Sequence, residues 1–218
     1  MERKNAWEIY DEKQRAEVFD FAEEYRQFLS KCKTERECVT EFKRRAEEAG
    51  FQDINAIIAS GEKPAPGARI YADNKGKAMA LFVIGTRPLE EGMNILGAHI
   101  DSPRLDIKQN PLYEDTDMVL LDTHYYGGIK KYQWVTLPLA LHGVVAKKDG
   151  SVVQVAIGED PKDPVLGVSD LLIHLAADQM EKKLARGVEG ERLDVLIGSM
   201  PAAKEDADEA AQDAGKSR

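Results

Sequence analysis

Met93-Asn94-Ile95-Leu96-Gly97-Ala98-His99-Ile100-Asp101-Ser102-Pro103 is the stretch whose reading decides the fold. Met93, Ile95 and Leu96 make a short apolar run that reads as a buried strand ending at Gly97. Successive strand residues face opposite sides, so His99 and Asp101 are expected to point the same way. A neutral imidazole is a common metal ligand, and a carboxylate beside it can hold the second ring nitrogen and set the tautomer. Pro103 stops the strand from continuing through a sheet. The plainer alternative is a half-buried histidine beside a solvated aspartate.

Upstream, residues 6–33 carry a helical pattern, with Val18, Ala22, Tyr25 and Leu29 on one face. Thr34-Glu35-Arg36-Glu37 is a capping box that restarts the chain as a second helix. Cys38, Phe42 and Ala46 line its inner face, and Gly50 occupies the C-terminal cap position. A Pro/Gly-rich connector, 61–67, precedes two strand-like runs, Arg69 to Ala72 and Ala78 to Ile84, joined by a turn at Asp73-Asn74-Lys75-Gly76. Helix, helix, hairpin, strand is the opening of an α/β layer domain.

Downstream of Pro103 helices give way for some sixty residues to strands with frequent turn signals. Asp149-Gly150 closes a hairpin between the β-branched runs 144–148 and 151–155. One long helix is expected from Ser169 to Arg186, ending before Gly187, and then a strand over Leu193 to Ile197. Residues 201–218 hold six Ala, five acidic and three basic residues with no large apolar side chain, the composition of a frayed or disordered tail.

Gly97-Ala98-His99-Ile100-Asp101-Ser102-Pro103-Arg104-Leu105-Asp106 resembles the first metal-ligand motif of the aspartyl aminopeptidase family of dinuclear zinc exopeptidases, in its bacterial branch. Further runs resemble the family in the same order. They are Asn110 to Asp115, Thr123 to Trp134, Pro138 to Gly143, Ile157 to Asp160, Asp163-Pro164, and Asp170 to Leu175. The resemblance runs from the first helix to about Met200 and covers only about half of such an enzyme. It implies the first part of a zinc-exopeptidase α/β sandwich domain, with an inserted β-rich dimerisation domain carrying one long helix. The insertion begins where the texture changes. Residues 1–104 then belong to the catalytic domain, 105–200 to the inserted domain, and 201–218 to a tail.

By the same resemblance His99 is a metal ligand, Asp101 orients it, and His174 reaches across a dimer to polarise the scissile carbonyl. The family binds two zinc ions per active site and draws most of its ligands, and its general-base glutamate, from its second half. The function implied is a zinc metalloaminopeptidase that removes N-terminal, acidic residues from peptides. This chain, as its N-terminal half, is expected to be inactive alone and to bind metal weakly or not at all. The alternative is a non-catalytic dimerisation or assembly module derived from such a peptidase. Either way the partners expected are peptide substrate and further copies of the chain.

Composition narrows the field further. A net charge of -9 and a pI near 5.1, with no basic stripe, argue against a nucleic-acid or anionic-membrane partner. No apolar run approaches the roughly 18 residues of a membrane span, and Met1-Glu2-Arg3-Lys4-Asn5 does not lead into a signal-peptide core. Cys32 and Cys38 lack zinc or redox spacing and read as reduced thiols of a cytoplasmic protein. His124 and His142 are assigned structural roles, and Tyr125-Tyr126-Gly127-Gly128 a tight turn.

Overall fold

Two capping boxes set the helices of the first third. In the computed structural model, which describes residues 3–200, the Asp11 carboxylate accepts from the Gln14 N–H while the Gln14 side chain accepts from the Asp11 N–H. This cap starts a new helix, so the continuous helix expected over 6–33 is two: α1 (Ala6–Ile9) and α2 (Glu12–Lys31). Thr34 and Glu37 form the second box, opening α3 (Glu35–Glu48). Gly50, with φ of 79°, ends α3 in a Schellman arrangement. The Phe51 N–H reaches the Ala46 carbonyl and the Gly50 N–H reaches that of Glu47.

The chain divides into two compact units, Met1–Ser102 and Pro103–Arg218. The first continues with β1 (Gln52–Asp53), α4 (Ile54–Ser60), β2 (Arg69–Asn74) and β3 (Ala78–Val83). These strands form one sheet of order β1-β2-β3, parallel at the first pair and antiparallel at the second. The turn between β2 and β3 holds Lys75 and Gly76 at positive φ, and the Asp73 carboxylate accepts the Gly76 N–H at 2.7 Å.

Helix α3 packs on this sheet, burying Cys38, Val39 and Ala46 against Ile70 and Tyr71. Arginines tie both of its ends to the hairpin. Arg36 donates to the Lys75 carbonyl at 3.1 Å, and Arg69 donates to the Ala49 carbonyl at 2.6 Å. The Tyr71 hydroxyl donates to Glu47 at 2.8 Å, and burial beside that carboxylate pushes the phenol up to about 12. At the α2–α3 junction the buried Glu41 carboxylate accepts from Lys31 at 3.1 Å, Arg44 at 2.6 Å and Arg45 at 2.9 Å. Phe28 stacks on Phe42 at 5.3 Å. It is Phe28, therefore, that joins α2 to α3, and Tyr25 and Leu29 of the expected stripe are exposed.

The second unit opens with a long hairpin, β4 (Arg104–Asp115) and β5 (Met118–Tyr126), turned by Thr116 and Asp117 at positive φ. Its register slips between Ile107 and Leu112. Pro111 lies in that slip, where a residue without an N–H costs no ladder bond. After β6 (Pro138–Leu139), a separate hairpin follows, β7 (Leu141–Ala146) and β8 (Val152–Ile157), closed at Asp149-Gly150. Next come β9 (Leu166–Gly167), α5 (Ala177–Met180), α6 (Leu184–Gly187) and β10 (Val195–Gly198). The main sheet has the order β4-β5-β10-β9-β6. Leu121, Leu166, Val168, Leu193 and Val195 form its core. Inside it the Thr123 hydroxyl donates to the Leu193 carbonyl at 2.7 Å.

Two expected elements are absent. Met93 to Leu96 is not a strand: the segment is irregular, and Leu96 is 100% exposed. A strand exists only by pairing with a neighbour's N–H and C=O groups, and no described strand flanks 93–97. The long helix from Ser169 to Arg186 is replaced by a 3-10 turn (Ile173–Leu175) and the two single-turn helices α5 and α6. A helix owes most of its stability to a buried apolar face. Here Leu171, Leu172, Ile173, Leu175, Met180 and Leu184 are all exposed. Asp170 meanwhile accepts from the Leu171 N–H and the Gln179 side chain, holding the segment in another course. The expected acidic tail lies outside the described residues. Among those described, no helix is long and apolar enough to cross a membrane.

Leu193 is 0% exposed, so Leu193→Ala should lower unfolding stability by about 2–5 kcal/mol, read from urea melts of the second unit's near-UV signal. Glu41 yields an acid-limb prediction. Arg44 first, then Arg45 and Lys31, hold its carboxyl far below its ordinary 4.5. Its stabilising effect is therefore complete above that ordinary value and fades as pH falls towards the depressed one. Glu41→Gln should cost on the order of 1 kcal/mol at neutral pH, and the gap between the two proteins should narrow in melts repeated in acid.

Candidate functional site

The segment carrying His99 leaves a 3-10 turn (Leu89–Glu91) through Gly92, whose φ is 100°. It runs without regular structure to Pro103. Its hold on the first unit comes from α3: the buried Cys38 thiol donates to the Ile100 carbonyl at 3.9 Å, a weak sulfur contact between His99 and Asp101. Burial pushes this thiol up, and pushes that of Cys32 up to about 11, so both stay protonated. Neither cysteine is in a disulfide.

His99 and Asp101 do meet, within an irregular segment and not through strand alternation. His99 Nδ1 lies 3.0 Å from the Asp101 main-chain oxygen and 3.2 Å from Asp101 Oδ1. Two acceptors on Nδ1 favour the tautomer with its proton there, which leaves the Nε2 lone pair for a cation. The imidazole is 84% exposed and the Asp101 side chain 38%. The pair is oriented but not enclosed.

His174 stands in the second unit, on the exposed 3-10 turn and not on an amphipathic helix. The other two histidines are engaged. His124 Nδ1 lies 2.9 Å from Glu191 and its ring stacks on Tyr125, while His142 Nε2 lies 3.0 Å from Glu159. Gly158, in the same run as Glu159, has φ of 100°, and a Cβ there would lie 2.8 Å from the Leu139 carbonyl oxygen. Only glycine fits.

A zinc site needs three or more protein donors. Among the described residues no group of three His, Cys, Asp or Glu side chains could hold a metal ion. One imidazole with a carboxylate behind it does not make such a site, so the residues described here do not fit zinc by themselves.

Sequence reasoning missed one feature of the second unit, a cleft of about 750 Å³. It is lined by Tyr125 and Lys131 together with residues drawn from the run Lys182 to Glu191. The basic run Lys182-Lys183 with Arg186 was visible in the sequence, but nothing local says that Tyr125 and Lys131 face it.

Comparison with known proteins joins these observations. The profile of the aminopeptidase I zinc metalloprotease (M18) family matches residues 28–217. A probable M18 family aminopeptidase 1 of Clostridium acetobutylicum is 60% identical over 200 residues, covering 92% of this chain and 43% of that protein. Its counterpart in Thermotoga maritima is 43% identical, covering 94% of this chain and 44% of that one. The chain thus spans less than half the length of these relatives. The crystal structure of the Thermotoga maritima M18 aminopeptidase superposes with a TM-score of 0.83 over 94% of this chain and 43% of its own. That of aminopeptidase I from Clostridium acetobutylicum gives 0.82 at 57% identity, over 94% of this chain and 45% of its own. Profile, sequence and fold agree, and the chain belongs to the M18 family of aminopeptidase I zinc metalloproteases.

Proposed function

We propose that this chain is the N-terminal part of a cytoplasmic zinc aminopeptidase that removes N-terminal, acidic residues from peptides. The observation that carries the reading is the His99–Asp101 pair, lying within the region matched to the family. In this reading 1–104 begins the catalytic domain and 105–200 is the inserted dimerisation domain. Zinc, when bound in a complete protein, supplies an activated water and a polarised carbonyl. His99 offers Nε2 as one ligand. Asp101 holds the Nδ1 proton and so fixes the ring's orientation. His174 is assigned to the scissile carbonyl oxygen across a dimer, where a donor stabilises developing negative charge. The remaining donors and the base come from a second half, and the chain alone is inactive.

A specific observation also favours an assembly role. Leu171 (55%), Leu172 (70%), Ile173 (65%) and Leu175 (70%) expose their side chains as one run in the second unit. A contiguous apolar patch of this kind marks an interaction surface, and we take its occupant to be a second copy of the chain.

A chimaera tests the peptidase reading: residues 1–200 of this chain joined to the remaining portion of the Clostridium acetobutylicum relative. It should cleave aspartyl and glutamyl anilides. His99→Ala should abolish turnover, and Asp101→Asn should weaken zinc affinity about 10- to 100-fold. His174→Ala should lower kcat about 100-fold with KM little changed. Full activity in the His99→Ala chimaera would refute the assignment.

Sedimentation tests assembly. The purified chain should dimerise or form larger species at micromolar concentration, and Leu172→Glu with Leu175→Glu should shift it towards monomer. A monomeric parent chain would remove the interface.

A further inference from the structure

The cleft of the second unit is cation-rich although the chain as a whole is acidic. The chain carries 39 acidic against 30 basic residues, yet four cations, Lys131, Lys182, Lys183 and Arg186, line this one concavity with only two carboxylates, Glu189 and Glu191. Both carboxylates are already matched. Glu189 pairs with Arg192 at 3.2 Å and with Lys182 at 3.6 Å. Glu191 pairs with Lys108 at 3.4 Å and lies 2.9 Å from His124 Nδ1. Among the described residues, Lys131, Lys183 and Arg186 have no carboxylate partner. Like charges gathered in a concavity with low-dielectric walls focus a positive potential that an anion relieves.

The floor is built, not incidental. Gly190 is buried, and a Cβ there would collide with the ring of Tyr125 and come within 2.9 Å of Lys131 Cε. The bare backbone thus lets the Tyr125 ring approach it closely. The Lys131 ammonium stands 4.7 Å above that same ring, which places it over the cleft. Arg186 adds a planar fork suited to two oxygens of one oxyanion, and the lysines add point charges. Three unmatched cations call for more than one negative charge in the ligand.

We propose that this cleft, built from residues of the second unit alone, binds a small multivalent oxyanion, whether phosphate- or carboxylate-bearing. The inference does not rest on the peptidase reading. Calorimetric titration of the full chain with tripolyphosphate and, separately, with citrate tests it, and the tighter of the two names the source of the oxyanion. Saturable binding by either should weaken at least about tenfold in Lys131→Gln/Arg186→Gln. Lys13→Gln on α2, which removes the same kind of charge elsewhere, should leave it unchanged. Gly190→Ala keeps every charge but displaces Tyr125 and Lys131, so it should also weaken binding if its melting curve shows the unit folded. Arg186 is exposed and Lys131 half-buried, and glutamine keeps the aliphatic stem of each, so folding is retained. No binding of either anion, or binding equally strong in Lys131→Gln/Arg186→Gln, would overturn the proposal.

Discussion

The first unit depends on α3 being held at both ends by the hairpin beneath it. Arg36 reaches the turn at Lys75, and Arg69 of β2 returns to the last turn of α3 at Ala49. A helix leaves its final carbonyls without intrahelical partners. Here one of them is answered by a side chain from the sheet, so capping and packing are one interaction. Cys38 lies on the helix thus anchored, and Cys38 touches the segment that carries His99. The segment of the candidate ligand is thus tied to a helix that two guanidinium groups hold in place.

What was legible in the sequence was what local chemistry decides. Thr34 with Glu37, Gly50, the Asp73–Gly76 turn and Asp149-Gly150 each carry their own hydrogen-bond partners within a few residues, and each stands where expected. Asp11 and Gln14 are equally local and went unread, which is why one helix was expected where there are two. Met93 to Leu96 and Leu171 to Leu175 failed for a different reason. Apolar periodicity records that residues suit burial, but the regular structure they take depends on a surface or strand elsewhere to receive them. Among the described residues neither run has one.

The candidate site divides along the same line. His99 and Asp101 are two residues apart, so their meeting is a local property that survives although the strand from which it was expected is absent. The enclosure and further donors that would turn an oriented imidazole into a reaction centre are long-range properties. The cleft makes the same point. Tyr125 and Lys131 meet residues some sixty positions away only because the sheet brings β5 beside β10, and the permissive residue, Gly190, carries no side chain to advertise it.

The hairpin that anchors α3 also has a cost in solution. Ala78-Met79-Ala80-Leu81-Phe82-Val83-Ile84 is seven apolar residues in succession without a charge or proline. Its strand β3 is the edge of the sheet, hydrogen-bonded only to β2 among the described residues. Leu81, Phe82 and Val83 are exposed there. An uncharged, exposed edge of this composition is a template for cross-β stacking. Such an edge opens the purified chain to edge-to-edge encounters that grow with concentration and require no unfolding.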